Sequence, residues 1–354
     1  MPTHIAHFDI DCCACLDATG QAIGPLPEFA RDGGTLRALY GAMVRARAFD
    51  TKAIALQRTG RLGTYASCLG QEAVGVGVAS AMEASDVLLP SFREHAAQLW
   101  RGVTPLELLL YWGGDERGSD FAGPRGDFPV CIPVGTQFPH AAGVALAISL
   151  SREPAVAVAV GGDGSTSKGD FYEAMNVVGL WRLPAVFVIN NNQWAISVRR
   201  REQTAARTLA QKAIAAGIHG EQADGNDVIA VCDAVSRALA RARGGEGGSL
   251  IECLSYRLGD HTTADDASRY REDEEVRKHW KEEPLTRLRA HLVAAHDWTK
   301  AEEEALLRGA ATEMDGAAET YLATDAELPA AMFDHLHNTL PAALQAQRAE
   351  VDNA

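Results

Sequence analysis

Four short apolar runs constrain this chain more than any other feature. Residues 87–90, 155–160, 185–190 and 249–254 are dominated by Ala, Val, Leu, Ile and Phe, the clearest being AVAVAV at 155–160. A strand wetted on one face alternates apolar with polar residues, whereas runs of this kind belong to strands covered on both faces. Helical patterns at 137–151, 168–182, 208–216 and 226–243 lie among the runs, and another extends from Thr35 to about Gly60. Buried strands alternating with helices predict an α/β fold, a doubly wound, mainly parallel sheet with helices on both faces. QEAVGVGVASAME (71–83) reads as a further helix. Its Gly75, Gly77 and Ala79 allow close packing, either against another subunit or inside this chain's core. The expected division is an irregular arm over 1–34, broken by glycines and prolines, a main domain over 35–325 and a C-terminal tail over 326–354 within a helical, charged region that begins near 273.

Ligands in such sheets sit beyond the carboxyl ends of the strands, and there AVAVAV gives way to GGDGSTSKGD (161–170). The loop fails as a Walker A sequence, because Lys168 is followed by Gly169 with no glycine before it. It fails as a dinucleotide fingerprint too, because the third glycine would fall at Ser167. An aspartate would also repel a pyrophosphate set directly against it. The remaining reading is that Asp163 faces a divalent cation that carries the diphosphate; Mg²⁺ commonly joins one or two carboxylates to phosphate oxygens. Further oxygen ligands should come from a neighbouring strand end. PAVFVI (184–189) runs into NNNQWAIS, and 26 residues separate Gly164 from Asn191, enough for one helix and one returning strand.

Gly162-Asp163-Gly164 followed at that spacing by Asn191-Asn192 resembles the thiamin diphosphate signature. The segments GRLGTYASCLGQEA (60–73), LPSFREH (89–95), IPVGTQFPHAAGVALA (132–147), GDFYEAMN (169–176) and SYRLGDHTTADDASRYR (255–271) extend the likeness over roughly 35–325. They are similar to alpha subunits of the 2-oxo acid dehydrogenase first component, the bacterial pyruvate type most of all, with the branched-chain 2-oxo acid type as near neighbour. The resemblance implies oxidative decarboxylation of a small 2-oxo acid on thiamin diphosphate, with the acyl group passed to a lipoyl group. It places Asp163, Asn192 and the carbonyl of Trp194 on Mg²⁺, with Gly162, Gly164 and Ser165 letting the loop backbone reach the diphosphate. Arg93 would contact the diphosphate beside Phe92, which stands where many relatives have tyrosine; the alternative for Arg93 is a surface ion pair with Glu94 or another acid. Backbone groups of Ile132 and Val134 would hold the aminopyrimidine. His261, in a polar loop, would stand at the mouth of the active site as the catalytic histidine. Thr262 occupies the place of a regulatory serine in mitochondrial relatives, which gives no ground for expecting phosphorylation.

Two departures favour pyruvate: Asn190 where branched-chain relatives often carry a basic residue, and Ile132 where they use serine. A fuller pocket suits a shorter acyl chain, although a methylene or two discriminates by only ~1–3 kcal/mol. Thr136 and Gln137 match potassium ligands of some relatives, but Cys131 replaces an oxygen donor, so no potassium is assigned. One sheet with its tails consumes the chain. The domain that binds the pyrimidine, and its glutamate, is therefore expected on a beta subunit, in an α2β2 heterotetramer docked on a dihydrolipoyl acyltransferase core. Acetoin dehydrogenation and NAD-dependent oxidoreduction are the weaker alternatives. The net charge of −14 argues against nucleic acid and anionic membranes as partners. No run reaches membrane-spanning length, the N-terminus lacks a signal pattern, and seven scattered cysteines suit a reducing compartment, so a cytoplasmic location is expected. Cys12-Cys13-Ala14-Cys15 has no second cysteine pair at zinc-site spacing; its thiols are instead open to oxidation.

Overall fold

The computed structural model describes residues 2–334 and 336–352. Its strands are β1 (Cys12–Cys13), β2 (Val87–Leu89), β3 (Ala157–Gly162), β4 (Ala185–Asn191), β5 (Trp194–Ala195), β6 (Val198–Arg199), β7 (His219–Asp224) and β8 (Ser249–Leu254). Six of them form one parallel sheet in the order β1-β7-β8-β4-β3-β2, while β5 and β6 make a small antiparallel hairpin. The helices that flank the site are α1 (Gly33–Arg58), α2 (Glu72–Ala81), α3 (His95–Arg101), α4 (Pro105–Gly113), α5 (Gln137–Ser151), α6 (Gly169–Trp181), α7 (Arg200–Gln203), α8 (Lys212–Ala216) and α9 (Val228–Arg243).

The apolar runs divide between the two faces of the sheet. Ala157, Ala159, Ala185, Phe187 and Ile189 pack beneath α5 and α6, against Phe138, Ala141, Phe171 and Met175. Val158, Val160, Val186 and Val188 point the other way, onto Val74 and Val78 of α2 and Val231 and Val235 of α9. Each fully buried valine contributes about 1.5–3 kcal/mol relative to exposure, so period-two alternation survives here as small against branched rather than polar against apolar. A further core joins α1 to two helices of the C-terminal region, Pro284–Ala295 and Lys300–Ala323.

The expected α/β fold with a parallel sheet and helices on both faces is the observed one. The helix expected at 71–83 lies inside the chain, which decides between the two readings of its small residues. A Cβ on Gly75 would stand 2.8 Å from that of Ala96, and one on Gly77 2.7 Å from Val231, so α3 and α9 occupy the space left for them. The N-terminal arm is less irregular than expected, since Cys12–Cys13 forms the edge strand of the sheet. Asp227, the N-cap of α9, ties the arm down: its Oδ2 accepts from the backbone N–H groups of Cys15 and Leu16, each at 2.7 Å. β7, reading HGEQAD, gave no apolar run because only alternate residues of this penultimate strand are buried. Among the described residues, no helix is long and apolar enough to cross a membrane.

Candidate active site

β3 runs two residues past its apolar stretch, through Gly161 and Gly162, and pairs Gly162 with Asn190 of β4. The turn 163–167 and the segment 192–194 therefore leave neighbouring strands at the same edge. Close approach explains the glycines: a Cβ on Gly161 would lie 2.8 Å from the Phe138 ring, and one on Gly164 2.7 Å from Cβ of Ala195. A Cβ on Gly162 would project into open space. Gly162 lines a cavity of about 570 Å³ together with every other residue that the resemblance assigns to the cofactor or the metal: Phe92, Arg93, Ile132, Val134, Asp163, Gly164, Ser165, Asn192, Trp194 and His261. Ile132 and Val134 stand half-exposed at its rim, whereas Asp163 is buried.

Burial pushes the Asp163 carboxyl above the usual carboxylate range; the hydrogen bond from Gln203 Nε2 to Oδ2, at 2.6 Å, opposes that rise. Asn192 donates its Nδ2 to Gln71 Oε1 at 2.8 Å, and its Oδ1 accepts the N–H of Trp194 at 3.1 Å. The donors available at this edge are thus all oxygens, a carboxylate, a carboxamide oxygen and a main-chain carbonyl, which is a set suited to Mg²⁺. Gln71 Nε2 is buried and has no hydrogen-bond partner. Gln71 also lines the cavity. An acid in need of a cation, a spare donor and a cradle without side chains fit a metal ion carrying an anion.

Another part of the lining is cationic. Arg93 is buried rather than paired at the surface with Glu94, which corrects the alternative reading. It donates to the carbonyl of Ser67 at 2.5 Å and to that of His261 at 2.9 Å. The Ser67 turn is itself set by Asp50, whose Oδ2 accepts from Ser67 Oγ at 2.6 Å and from Cys68 N at 2.9 Å. Arg257, not singled out from the sequence, donates to Ile196 O and to Tyr270 Oη, both at 2.8 Å. Ile196 holds φ at 54°, a left-handed conformation that costs a β-branched residue about 1–3 kcal/mol. The Arg257 bond to its carbonyl supports that strain beside the Trp194 carbonyl.

His261 lies between the arginines, with Nδ1 at 3.3 Å from Arg93 Nη2 and 3.2 Å from Arg257 Nη1. Guanidinium groups only donate, so Nδ1 is the acceptor and the ring carries its proton on Nε2. Burial, then Arg93 and Arg257, bring the His261 pKa down to about 4. The loop around it is ordered by Asp265, which accepts the His261 N–H at 2.9 Å and the Tyr270 hydroxyl. Gln137 spends its amide on the carbonyl of Cys131 at 2.8 Å. Asn190 accepts from Ser255 Oγ at 2.5 Å.

Asp50, Cys68 and His95 form a second buried cluster, their ligand-type atoms within 4.8 Å of one another. Trp112 Nε1 donates to His95 Nε2 at 2.8 Å, and Tyr65 bonds Asp50, so these groups satisfy one another as a hydrogen-bond network. Sequence reasoning missed three residues that contact the site: Gln71, Gln203 and Arg257. Gln71 and Arg257 stand within segments that carried the resemblance, but their partners come from distant parts of the chain.

Known proteins resemble this chain over most of its length. The chain is 38% identical over 332 residues to the pyruvate dehydrogenase E1 component subunit alpha of Mycoplasma genitalium, covering 94% of this chain and 93% of that one. It is 39% identical over 335 residues to the protein of the same name from Staphylococcus aureus, covering 94% and 90%. Against the 3-methyl-2-oxobutanoate dehydrogenase subunit alpha of Mycobacterium tuberculosis it is 44% identical over 270 residues, 76% of this chain and 74% of that one. The dehydrogenase E1 component profile matches residues 40–329. The chain belongs to the dehydrogenase E1 component family.

Proposed function

We propose that this chain is the alpha subunit of a pyruvate dehydrogenase (acetyl-transferring) first component, an oxidoreductase that decarboxylates pyruvate on thiamin diphosphate and passes the acetyl group to a lipoyl group. The observation that carries the reading is the convergence of the residues assigned to cofactor and metal on one cavity at the carboxyl edge of the sheet. The relatives that cover about nine-tenths of the chain bear that name. Thiamin diphosphate, when bound, supplies the electron sink for decarboxylation. The chain's own residues do the holding. Asp163, Asn192 and the Trp194 carbonyl take Mg²⁺, Arg93 takes the diphosphate, and the backbone at Ile132 and Val134 takes the aminopyrimidine. His261 presents a neutral Nε2–H at the cavity as a hydrogen-bond donor.

The beta subunit in this reading covers the open side of the cavity and completes an α2β2 heterotetramer on an acyltransferase core, in the cytoplasm. Leu150, Tyr172, Leu180 and Trp181 on the neighbouring helices α5 and α6 are exposed apolar side chains that a partner subunit could cover. A second reading, a branched-chain 2-oxo acid dehydrogenase alpha subunit, is favoured by the 44% identity to the Mycobacterium protein. The test is co-expression with the beta subunit, followed by decarboxylation assays on pyruvate and 3-methyl-2-oxobutanoate with Mg²⁺, thiamin diphosphate and an artificial electron acceptor. Preference for pyruvate is expected. Preference for the branched substrate would select the second reading, and a well-formed heterotetramer inactive on every 2-oxo acid would overturn both.

A further inference from the structure

The two side chains assigned to the metal are each held from behind by a glutamine, and the two glutamines come from different parts of the chain. Gln203, at the end of α7, donates Nε2 to Asp163 Oδ2 at 2.6 Å and to the carbonyl of Val198 at 3.3 Å. It therefore links the carboxylate to the β5–β6 hairpin, whose first residue is Trp194. Gln71, preceding α2, accepts Asn192 Nδ2 at 2.8 Å.

Orientation is what these bonds decide. An asparagine offers a cation only its Oδ1, and the opposite rotamer would aim an NH₂ group at the metal. With Nδ2 committed to Gln71 and the Trp194 N–H directed at Oδ1, the carboxamide of Asn192 has one way round. The bond to Asp163 Oδ2 likewise fixes the orientation of that carboxylate. Each glutamine also keeps one buried atom without a partner, Nε2 in Gln71 and Oε1 in Gln203. Gln71 is only 2% exposed and lines the cavity, so its spare N–H is a donor positioned for an anionic oxygen there.

We propose that Gln71 and Gln203 are the positioning residues of the metal–diphosphate site: Gln203 sets the Asp163 carboxylate, and Gln71 sets the Asn192 carboxamide while giving its free N–H to a diphosphate oxygen. The inference rests on the assignment of Asp163 and Asn192 to Mg²⁺. Partners of this outer kind commonly change metal affinity by about 10–100-fold when removed.

The experiment uses the full chain assembled with its beta subunit and Mn²⁺ in place of Mg²⁺, with Mn²⁺ affinity read by electron paramagnetic resonance and thiamin diphosphate affinity by calorimetry. Gln71→Leu and Gln203→Leu should each weaken Mn²⁺ about 10–100-fold. Gln71→Glu keeps the acceptor for Asn192 and loses the donor. Its Mn²⁺ affinity should stay above that of Gln71→Leu, while its thiamin diphosphate affinity falls at least tenfold. A merely structural role for Gln71 would not separate those two readouts. Gln203 is half-exposed, so its variant keeps the proposal testable where a Gln71 variant fails to assemble. Mn²⁺ affinity unchanged in both leucine variants, with Asp163→Ala abolishing it, would overturn this inference and leave the metal site standing. Normal Mn²⁺ binding by Asp163→Ala would remove the metal assignment, and the inference with it.

Discussion

The two walls of the cavity are built by opposite strategies. The strand-end wall uses consecutive residues, Gly162–Ser165 and Asn190–Asn192, delivered side by side because β3 and β4 are hydrogen-bonded neighbours. The cationic wall gathers Arg93 and His261, 168 residues apart, with Arg257 bonded to His261, and fastens the arginines through backbone carbonyls. Their charges differ as well. Asp163 is buried with a neutral amide as its hydrogen-bonding side chain, and among the described residues neither Arg93 nor Arg257 has a carboxylate within ion-pair distance. Buried charge without a counter-charge is costly. Arg257 touches the Trp194 carbonyl at 3.4 Å and its charge favours the Asp163 carboxylate, but no cation pairs with that carboxylate directly, so a ligand positive toward Asp163 and negative toward Arg93 suits the site. A divalent cation bearing a diphosphate has that polarity.

Removing the acid should break the comparison most severely. Asp163→Ala takes away the charged oxygen donor of the strand-end wall, and Mg²⁺-dependent thiamin diphosphate binding should be lost in calorimetry on the assembled enzyme. Normal binding would mean that the metal lies elsewhere. The cationic wall should fail by degrees. Arg93→Met removes a charged donor whose net worth is about 1.5–3 kcal/mol, which corresponds to a loss of roughly 10–150-fold in cofactor affinity. Arg257→Met should cost about tenfold or less, because it acts through His261 and the Trp194 and Ile196 carbonyls. Equal losses from both substitutions would mean that Arg257 touches the ligand directly.

The same contrast explains what was legible in the sequence. β3 and β4 announced themselves because strands buried on both faces must be apolar throughout, and the strand-end wall followed because its residues continue directly from them. β7 stayed hidden since half its residues face outward, and β1 because two residues are too few to carry a period. On the cationic wall, Arg93 and His261 were reached only through resemblance to a family. Gln71, Gln203 and Arg257 were missed for a physical reason. Such an amide or guanidinium is placed by partners distant in sequence, 121 residues for the Gln71–Asn192 pair, and no local pattern encodes such a pairing.

Glu94 tests the walls through stability. It is buried next to Arg93 and bonded by Ser91, and burial raises its pKa to about 7, from an ordinary value of 4.5. The folded state therefore binds this proton more tightly than the unfolded chain does. Its contribution is fully present below pH 4.5 and declines as pH rises through 7, by about 3 kcal/mol at most. Glu94→Gln removes the titration while keeping an acceptor for Ser91. Thermal unfolding of the variant should be higher than the parent's at pH 8 and similar at pH 5. A parallel pH dependence in the two proteins would place the charge cost on another acid.

The smallest expected effect is an absence of titration. An ordinary histidine changes charge near pH 6.5, but His261, buried between two guanidinium groups, has its pKa lowered to about 4. Protonation would place a third cation within 3.3 Å of Arg93 and Arg257. The sign is the reverse of that for Glu94: between pH 6.5 and 4 the unfolded chain takes up a proton that the fold refuses, so this contribution to stability is lost as pH falls. In the chain without cofactor, the His261 carbon resonance, assigned by its disappearance in His261→Asn, should hold its neutral position from pH 8 down to 5. In Arg257→Met the same resonance should begin to titrate at higher pH, because one of the two charges that oppose protonation is gone. Titration near pH 6.5 in the parent protein would mean that the arginines do not converge on Nδ1. The cationic wall would then form only when an anion draws it together, and the difference between the walls would be one of timing as well as charge.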